Sequence, residues 1–499
     1  MKVCVAVGEA TTAAVTARMA ELAPWADLFE VRADYVSDLD VGALLRARGK
    51  PILFTLRSDA EGGRFPERDS RARRRLLLEA VERGVDLVDV EARAGFDDVV
   101  AAKKGRGLVL SWHDMEGTPD DLDSIYERMA AEGPDVVKIS VTARSVRDLG
   151  RLLALAARHA ADEAPQLVAI AMGPLGVASR ILGGRYNAPF GFASSASGRG
   201  TAPGQLTAPV LVDSYRVRSI GRDTRVYGLL GSDVQRSLSP AIQNRAFAEC
   251  GIDAVYVPLQ AESMDAFQDA LPALALSGWS VTRPYKGAIL GQLDSVTAQA
   301  AEAGSANTVV AQDGRLLGLS TDGDGVLVPL RRRIDPAGRR VAILGAGGAA
   351  RAAAFALVRA GARVDVLARR AEQAREVAAA TGCVGADLEE LARVPYDVLV
   401  NATPLGSGAF PGESPAPASA LRSGSVVFDM VYEPRETPLL AAARARGCTT
   451  IDGVEMLVAQ AVGQFEAWSG VGAPVAAMTA AALDAIEASR VPQVAEAAS

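Results

Sequence analysis

The sequence predicts an α/β protein with an N-terminal (β/α)8 barrel of the TIM type, followed by a two-part α/β half that contains a Rossmann-like domain. Residues 1 to about 215 alternate short apolar runs with amphipathic segments rich in Ala, Leu and Arg, which is the pattern of repeated βα units. Residues 340–351 have the pattern of a strand, a glycine-rich turn and a helix start, the order of a dinucleotide-binding unit.

Eight apolar runs in the first half predict the strands of the barrel. They are Val3–Val7, Leu28–Arg32, Ile52–Arg57, Leu87–Glu91, Leu108–Trp112, Val136–Ser140, Leu167–Met172 and Pro189–Phe192. Polar residues stand at or just beyond the ends of most of these runs, where a barrel of this type places its active site. They are Glu30, Arg32, Arg57, Glu91, His113, Lys138 and Arg180.

Length and composition exclude several classes of protein. At 499 residues the chain is too long for one hydrophobic core. A hydrophobic content of 49% with 23% charged residues is typical of globular rather than disordered chains. A net charge of -7 argues against nucleic acid as a partner. The densest basic run, Arg71–Arg75, is interpreted as a solvated helix face.

The N-terminus and the cysteines predict a cytoplasmic protein without a membrane span or a metal site. Met1–Val7 begins directly as a strand, and no stretch reaches the roughly 18 apolar residues of a membrane span. The four cysteines are scattered and lack the spacing of metal ligands or of a disulfide framework. We therefore expect reduced thiols at Cys4, Cys250, Cys383 and Cys448.

Lysine is rare in this chain, which makes two of its positions informative. The chain has six lysines and 47 arginines, and two of the lysines, Lys138 and Lys286, stand at positions where a reactive amine is expected. Arginine keeps its proton near neutral pH, whereas a desolvated lysine can act as a free amine. The composition therefore indicates two amine-dependent sites, one in each half.

Lys138 and His113 together indicate Schiff-base chemistry. His113 follows the strand at 108–112, whereas the second histidine, His159, is interpreted as a surface residue. An amine at a strand end, beside an imidazole from the preceding strand, suits attack on a ketone and then proton transfer. Two structural alternatives stay open: Lys138 as a salt-bridged cation and His113 as a cap of a strand end. By chemistry alone, a class I aldolase also fits Lys138.

Six segments resemble type I 3-dehydroquinate dehydratase, in order and over nearly all of residues 1–216. They are Leu28–Asp34, Phe54–Ser58 with Glu61–Gly63, Asp86–Glu91, Ser111–Asp114, Val137–Ile139, and Ala171–Gly173 with Ser179–Arg180. The resemblance implies that Lys138 is the Schiff-base lysine, His113 the acid/base group and Glu61 the carboxylate that orients it. It implies substrate contacts by Glu30, Arg32, Arg57, Met172, Arg180, Phe192, Thr201 and Gln205. Arg180 would hold the substrate carboxylate, and Gln205 belongs to a lid.

The reaction implied by this resemblance is loss of water from 3-dehydroquinate. Lys138 forms an imine at the ketone, and His113 removes the neighbouring C–H proton. The enamine then expels the hydroxyl, to which His113 returns the proton. Hydrolysis releases 3-dehydroshikimate without need of a metal or cofactor in this half.

A glycine-rich turn in the second half predicts a dinucleotide site. It follows a strand and opens a helix, which favours a pyrophosphate bound by backbone N–H groups; a tight structural turn is the alternative. The turn consists of Gly345, Ala346, Gly347, Gly348 and Ala349. Arg369 and Arg370, after the next strand, suit a 2′-phosphate and so favour NADP(H), unless they are ordinary solvated turn residues.

Seven segments between 223 and 490 resemble shikimate dehydrogenase. They are Ser237–Pro240, Val281–Lys286, Ala306–Thr308, Ser320–Gly323, Asn401–Thr403, Asp429–Tyr432 and Asp452–Gln460. The resemblance implies that Lys286 and Asp322 are the catalytic pair, although the sequence does not decide which one transfers the proton. It implies substrate contacts by Ser237, Ser239, Thr282, Asn307, Tyr432 and Gln460. It implies NADP(H) contacts by Thr403, Met430, Gly453 and Met456, beside the glycine turn and the two arginines.

Three residues depart from the dehydrogenase pattern: Ser280, Arg283 and Glu455. Arg283 matters most, because it adds a cation beside the predicted site and can alter the preference for substrate or cofactor. Thr201 departs from the dehydratase pattern only mildly, since it replaces the usual serine with another hydroxyl.

Both resemblances together imply a fused two-step enzyme that converts 3-dehydroquinate into shikimate with NADPH. The predicted domains are 1–218 for the dehydratase barrel, 223–327 plus 456–490 for shikimate binding, and 328–455 for NADP binding. The expected partners are these small molecules, without nucleic acid or membrane, and the sequence specifies no oligomeric state. One rival is a metabolite sensor without turnover, against which the intact catalytic residues argue. Another is an enzyme of quinate and NAD, against which the paired serines argue.

Overall fold

The computed structural model describes residues 1–160, 165–195 and 201–490. These residues form two compact units. The first comprises Met1–Pro240 and Ile252–Leu276, and the second comprises Ala241–Gly251 and the chain from Ser277 onward. Among the described residues, no helix has both the length and the apolar character needed to cross a membrane.

The first unit contains the nearly closed, eight-stranded parallel barrel that the sequence predicts. Its strands are β1 (Lys2–Val7), β2 (Leu28–Arg32), β3 (Ile52–Thr55), β4 (Leu87–Glu91), β5 (Leu108–Asp114), β6 (Val136–Thr142), β7 (Gln166–Met172) and β8 (Phe190–Ser194). They lie side by side in the order β7-β6-β5-β4-β3-β2-β1-β8. His113 therefore lies within β5 rather than after it, because the ladder to β6 continues through Asp114.

Helices connect the strands of the barrel. They are α1 (Thr12–Leu22), α2 (Val41–Ala47), α3 (Ser70–Glu82), α4 (Asp97–Lys103), α5 (Leu122–Ala131), α6 (Val146–Arg158) and α7 (Val177–Leu182). The start of α6 shows why the chain turns helical there: Ser145 and Asp148 form a capping box that satisfies free backbone N–H groups.

The interpretation of the basic run on α3 as a solvated face was wrong at one residue. Arg73 is buried on α3 and shares its inner face with Leu77 and Ala80, since residues four and seven positions apart lie on the same side of a helix. Only the rest of the arginine run is solvated. His159 is half-buried at the end of α6 and stacks on Tyr126, with ring centroids 3.9 Å apart.

The inward face of the barrel changes from apolar to polar along four of its strands. At their amino ends, apolar side chains join one buried cluster; they are Leu28, Leu53, Val109 and Val136. Two residues later, strand alternation returns the chain to the same face, and the side chains there are polar. They are Glu30, Thr55, Ser111 and Lys138. The polar layer therefore lies on an apolar floor, towards the carboxyl ends of the strands.

The first unit also includes a parallel strand pair beyond the barrel. β9 (Arg225–Gly231) pairs with β10 (Ala254–Gln260), and α9 (Met264–Leu274) follows. Between the two strands the chain forms α8 (Ser239–Glu249).

The second unit begins with a mixed ladder. β11 (Leu276–Val281) and β14 (Arg315–Leu319) both pair antiparallel with β13 (Thr308–Gln312), and β12 (Ser295–Val296) pairs parallel with β14. The helices α10 (Ala298–Ala303) and α11 (Asp322–Arg331) belong to this part of the unit.

The remaining sheet of the second unit is parallel and Rossmann-like. Its strands are β15 (Arg340–Leu344), β16 (Arg363–Ala368), β17 (Val384–Asp387), β18 (Val398–Asn401), β19 (Val426–Asp429) and β20 (Thr449–Ile451). Their spatial order is β17-β16-β15-β18-β19-β20. The strand order therefore reverses between β15 and β18, and ligands of such sheets bind at that point. The associated helices are α12 (Gly348–Arg359), α13 (Ala371–Thr381), α14 (Pro438–Ala445), α15 (Gly453–Ser469) and α16 (Val475–Arg490).

Candidate active sites

All the residues predicted for the barrel site line one cavity of about 50 Å³. They are Glu30, Arg32, Arg57, Glu61, His113, Lys138, Met172, Arg180, Phe192, Thr201 and Gln205. The strands supply most of them, whereas Glu61 stands in a short turn after β3, and Thr201 and Gln205 stand in the segment after β8. The pattern of strand ends therefore predicted a set of side chains that the fold brings together.

Lys138 lies in a dry, crowded part of this cavity. Its side chain is 6% exposed, and Nζ lies 4.0 Å from the centroid of the Phe192 ring. Nζ is 3.6 Å from Glu30 Oε1 and 3.7 Å from Asp89 Oδ2, which are distances of ion pairs but longer than hydrogen bonds. No described residue forms a direct hydrogen bond with this side-chain nitrogen, so the two carboxylates hold it only at ion-pair distance.

His113 and Glu61 form a buried acid–base pair. His113 Nδ1 lies 2.8 Å from Glu61 Oε2. Burial raises the pKa of Glu61 to about 8; Arg57 opposes this rise, while Glu91 and Asp89 add to it. Burial also holds the pKa of His113 well below its ordinary value, and the nearby Arg57 and Lys138 act in the same direction. The pair therefore holds one proton between the two side chains near neutral pH.

Arg57 lies at the centre of the carboxylates. Its Nη2 donates to Asp89 Oδ1 at 2.8 Å, and its Nη1 lies 3.5 Å from Glu61 Oε2 and 3.4 Å from Glu91 Oε1. Nη1 also donates to Ser111 Oγ at 2.8 Å. This guanidinium therefore orders several acidic groups at once, a task for which its planar set of donors is suited.

Arg180 is a buried cation without a carboxylate partner among the described residues. Its Nη2 donates to the Pro203 carbonyl oxygen at 2.9 Å, while its buried Nε has no hydrogen-bond partner. Burial lowers the pKa of this guanidinium to about 10. A buried unsatisfied cation is costly, so the arrangement favours an anionic group of a ligand at this point.

The segment that carries Thr201 and Gln205 is held over the barrel by backbone contacts. Gln205 Oε1 accepts from the Thr201 backbone N–H at 2.8 Å, and Arg32 Nη1 donates to the Thr201 carbonyl oxygen at 3.4 Å. Gly204 has φ +73° and approaches Gly173 so closely that an added Cβ would lie 2.7 Å from the Gly173 carbonyl oxygen. Only glycine suits both the conformation and the contact at 204.

Sequence reasoning missed two residues of this site, Asp89 and Ser111. Asp89 lies 3.7 Å from Lys138 Nζ, and Ser111 Oγ donates to Asp89 Oδ1 at 2.6 Å. Burial alone would raise the pKa of Asp89, but Arg57 and Lys138 hold it below its ordinary value. The signal was present, because each residue stands two positions before a recognised strand-end residue, Glu91 or His113, and therefore on the same face.

The second unit brings Lys286 and Asp322 into direct contact. Lys286 Nζ donates to both carboxylate oxygens of Asp322, at 2.9 and 2.7 Å. Asn307 Nδ2 donates to Asp322 Oδ1 at 2.9 Å and to Thr321 Oγ1 at 3.0 Å. The lysine side chain is 31% exposed, whereas that of Asp322 is 8% exposed. Asp322 is therefore a fixed acceptor, and the lysine ammonium is the part of the pair open to a ligand.

Gln460 and Thr282 also belong to the second unit. Gln460, on α15, packs against α11 at Gly325, where an added Cβ would lie 2.6 Å from Gln460 Cγ. Thr282 directly follows β11 and is half-buried. Tyr432 stands three residues beyond β19 and is also half-buried.

Ser237 and Ser239, the two serines predicted to bind substrate, lie together in the first unit. The Ser239 backbone N–H donates to Ser237 Oγ at 3.2 Å, where α8 begins.

The predicted cofactor residues cluster around the reversal point of the Rossmann-like sheet. Gly345 has φ +108°, and an added Cβ there would lie 3.1 Å from Thr403 Cγ2, so the turn after β15 meets the residue after β18. An added Cβ at Gly453 would lie 2.7 Å from the Met430 carbonyl oxygen. Met456 and Met430 belong to the same core cluster, Met456 within it and Met430 packed against it. The glycine turn is open to solvent at Gly347, Gly348 and Ala349.

Arg369 and Arg370 are both exposed directly after β16. Neither makes an ion pair within the described chain, so both guanidinium groups are available for an anion. Together with the open glycine turn, they fit a dinucleotide that carries an extra phosphate on its ribose.

Arg283 and Glu455, which depart from the dehydrogenase pattern, have different surroundings. Arg283 is exposed next to Thr282 and forms no ion pair within the described residues. Glu455 instead accepts both terminal nitrogens of Arg333, at 2.9 and 2.8 Å, and is a structural ion pair. Within the described residues, no group of three or more His, Cys, Asp or Glu side chains is arranged as a metal site.

Comparison with known families matches both halves of the chain. Residues 3–222 match type I 3-dehydroquinase, residues 229–309 the shikimate dehydrogenase substrate binding domain, and residues 453–483 the shikimate 5′-dehydrogenase C-terminal domain. A bifunctional 3-dehydroquinate dehydratase/shikimate dehydrogenase, chloroplastic, of Arabidopsis thaliana is 35% identical over 478 residues. That alignment covers 90% of this chain and 78% of the relative.

Single-function relatives match the second half. The NADP(+) shikimate dehydrogenase of Moorella thermoacetica is 42% identical over 280 residues, covering 53% of this chain and 95% of the relative. Among solved structures, a shikimate dehydrogenase in complex with NADP+ is similar with a TM-score of 0.50 and 33% identity. It covers 53% of this chain and 96% of the solved chain.

Proposed function

This chain belongs to the family of bifunctional 3-dehydroquinate dehydratases/shikimate dehydrogenases, and from that premise we propose how its own residues perform the two reactions. The barrel dehydrates 3-dehydroquinate to 3-dehydroshikimate, and the second half reduces this product to shikimate with NADPH. The observation that carries the proposal is the convergence of Lys138, the His113–Glu61 pair and the unpaired Arg180 in one buried cavity.

In the barrel, Arg180 receives the substrate carboxylate and so orients the ring. The Lys138 amine then attacks the ketone; a C–N bond forms, water leaves, and the resulting iminium acidifies the neighbouring C–H. The cavity excludes bulk water, because the groups around Lys138 are almost fully buried. Glu30 and Asp89, both within 4 Å of Nζ, stabilise the positive charge of the iminium.

His113 moves the protons of this reaction. Its Nε2 takes the C–H proton, the enamine expels the hydroxyl, and the same nitrogen returns the proton so that water leaves. Glu61 accepts a hydrogen bond from Nδ1–H, which fixes the ring and leaves Nε2 free to act as the base. Hydrolysis of the conjugated iminium releases 3-dehydroshikimate and the free lysine. For Nε2 to act as a base, the shared proton of the pair must first be lost, so dehydration is expected to speed up as the pH rises through about 8.

In the second half, Lys286 gives a proton to the carbonyl oxygen of 3-dehydroshikimate as negative charge develops there. NADPH, when bound, supplies the hydride. We assign the proton to Lys286 rather than to Asp322, because both carboxylate oxygens of Asp322 accept hydrogen bonds, from Lys286 and from Asn307. Asp322 therefore orients the Lys286 ammonium and balances its positive charge.

The residues present fit NADP(H). The turn Gly345–Ala349 at the start of α12 offers backbone N–H groups to a pyrophosphate. Thr403, Met430, Gly453 and Met456 line the same end of the sheet. Arg369 and Arg370 favour the 2′-phosphate and thus NADP(H) over NAD(H). The two serines, Ser237 and Ser239, hold the substrate carboxylate, with Thr282, Asn307, Tyr432 and Gln460 at its ring.

The domain division and the location in the cell belong to the same proposal. The dehydratase comprises 1–218, the shikimate-binding domain 223–327 plus 456–490, and the NADP-binding domain 328–455. A cytoplasmic location is supported by cysteines that are all free in the structure. The ligands are the three small molecules of the two reactions.

One assay tests the whole proposal. The purified chain receives 3-dehydroquinate as the sole substrate, and the absorbance of NADPH is followed, with NADH in parallel. Consumption of NADPH with shikimate rather than quinate as the product requires both sites in sequence. If no NADPH is consumed, 3-dehydroshikimate is supplied directly: oxidation of NADPH then leaves only the barrel assignment overturned, and silence with both substrates overturns the proposal in favour of a metabolite sensor. Reduction of NAD+ with quinate that is faster than reduction of NADP+ with shikimate would favour a quinate enzyme.

A further inference from the structure

The barrel site includes a buried cation that none of the proposed steps uses. Arg73 is 1% exposed although it stands on α3, a helix of the outer layer of the barrel. It enters a layer of side chains that also contains the Phe96 ring, whose centroid lies 5.1 Å from Arg73 Cζ. Burying a guanidinium is expensive unless it is paired, so its partners indicate its purpose.

The main partner of Arg73 is Glu91, at the carboxyl end of β4. Arg73 Nη1 donates to Glu91 Oε2 at 2.5 Å. The other bonds of Glu91 lead into the active site: it accepts from the Ser58 backbone N–H and from Ser58 Oγ, both at 2.8 Å, and Oε1 lies 3.4 Å from Arg57 Nη1. Glu91 therefore connects a cation outside the barrel to the central cation inside it. A second carboxylate, Glu67, lies 3.6 Å from Arg73 but is half exposed.

Arg57 is shared among three buried carboxylates, Asp89, Glu91 and Glu61. Without a second cation, the full charge of Glu91 would compete with Glu61 for this one guanidinium. Arg73 supplies that second cation. We propose that Arg73 is a positioning residue of the dehydratase site, which acts through Glu91 to leave Arg57 available to Glu61 and thereby sets the protonation of the His113–Glu61 pair.

The electrostatics of the pair agree with this arrangement. The charge of Glu91 raises the pKa of Glu61, and Arg57 lowers it. Removal of Arg73 would leave Glu91 uncompensated and draw Arg57 towards it, and both changes favour the protonated pair. The charged groups that act on the pair from the surrounding elements are Arg32, Arg57, Asp89, Glu91, Arg93 and Lys138. None of these groups is itself replaced when Arg73 alone is changed.

The pH profile of dehydration tests the inference, which rests on the proposed function of the barrel. The release of the conjugated enone 3-dehydroshikimate is followed by ultraviolet absorbance between pH 5.5 and 10 for wild type and for Arg73→Met. We expect the ascending limb of kcat/KM to move up by about one pH unit in Arg73→Met. At pH values below the limb, this shift lowers kcat/KM of Arg73→Met by about tenfold relative to wild type. The difference in kcat/KM becomes smaller as the pH rises above the limb.

Matched controls separate this role from a structural one. Arg75, exposed on the same helix, is changed to Met and should leave the profile unmoved. Arg73→Lys retains the charge, so its ascending limb should lie between those of wild type and Arg73→Met. Reduction of 3-dehydroshikimate by the second unit should stay at the wild-type rate in all three variants. A loss in Arg73→Met that is equal at every pH, or no change at all, would overturn the inference.

A second variant covers the case in which Arg73→Met does not fold. Arg73→Met combined with Glu91→Gln removes both buried charges, so no unpaired ion is left in the layer. Its limb should lie at or below the wild-type pH, because the charge that raises the pKa of Glu61 is gone; a limb above the wild-type position would contradict the inference. A wild-type chain that releases no 3-dehydroshikimate at any pH would instead overturn the proposed function itself.

Discussion

The lysines of the two candidate sites, Lys138 and Lys286, lie in opposite surroundings. Lys138 is 6% exposed at the side chain, with carboxylates 3.6 and 3.7 Å away and no direct hydrogen bond to any described residue. Lys286 is 31% exposed and is held by Asp322 at 2.7 and 2.9 Å. The amine of Lys138 is buried and has carboxylates only at ion-pair distance. The amine of Lys286 is partly exposed and is hydrogen-bonded to its carboxylate.

The difference agrees with the roles proposed for the two amines. A nucleophile forms a bond with its own nitrogen, so a tight ion pair would block the atom that reacts. A proton donor keeps its nitrogen and needs only an orientation, a charge partner and a route for its proton to be replaced. Under the proposal, the distance of the carboxylate and the access to water decide whether a lysine serves as the nucleophile or as the acid.

The largest expected effect is the loss of the nucleophile. Lys138→Ala should lower the rate of dehydration by about 10⁴-fold or more, because no other group in the cavity can form the imine. The rate of NADPH oxidation with 3-dehydroshikimate should stay unchanged. Lys104→Ala, at an exposed lysine of the same unit, is the control. Loss of both reactions in a folded Lys138→Ala protein would show that the sites are not independent.

Lys286→Ala should produce the reverse pattern with a smaller effect. The expected loss in the reduction of 3-dehydroshikimate is about 10³-fold, since a general acid contributes less than a covalent bond. Dehydration should proceed at the wild-type rate, measured by release of 3-dehydroshikimate without NADPH. A reduction rate that depended more on Asp322→Asn than on Lys286→Ala would transfer the proton donor to Asp322.

Substitution of Arg180 should affect substrate binding and the stability of the barrel in opposite directions. Arg180→Met should raise KM for 3-dehydroquinate by about a hundredfold, because a bond to a charged group is worth about 1.5–3 kcal/mol. The same variant should melt at a higher temperature, since it removes a buried guanidinium whose Nε has no partner. Both are measured on one preparation, by initial rates and by thermal unfolding. A lower melting temperature would mean that the bond to Pro203 matters more than the buried charge.

The smallest expected effect concerns the choice of cofactor. Changing Arg369 and Arg370 together to Gln should raise KM for NADPH by about tenfold and leave KM for NADH nearly unchanged, because only the 2′-phosphate is lost as a partner. The measurement is the reduction of 3-dehydroshikimate with each cofactor. Arg363→Gln, at an exposed arginine at the start of β16, is the matched control. Equal loss with both cofactors would remove these arginines from the 2′-phosphate site.

Local pattern was sufficient for much of the fold. The strands β2 and β4 lie where the apolar runs predict them, and the run at 340–351 forms β15, the glycine turn and α12. These predictions succeed because strand alternation and helix starts are set by neighbours in the chain. His113 was placed outside its strand because the end of a strand depends on its pairing with another segment, here β6.

The sequence alone predicted which groups react: two rare lysines, a strand histidine and a glycine turn are local signals of chemistry. Only the tertiary structure decided how those groups behave. The sequence pattern predicts a solvated Arg73, yet packing brings its side chain into contact with Glu91. The pattern does not distinguish Asp89 from other strand residues, yet Asp89 lies beside Lys138. The physical reason is that burial and Coulomb interactions depend on distances between residues far apart in the chain, and the sequence pattern does not specify those distances.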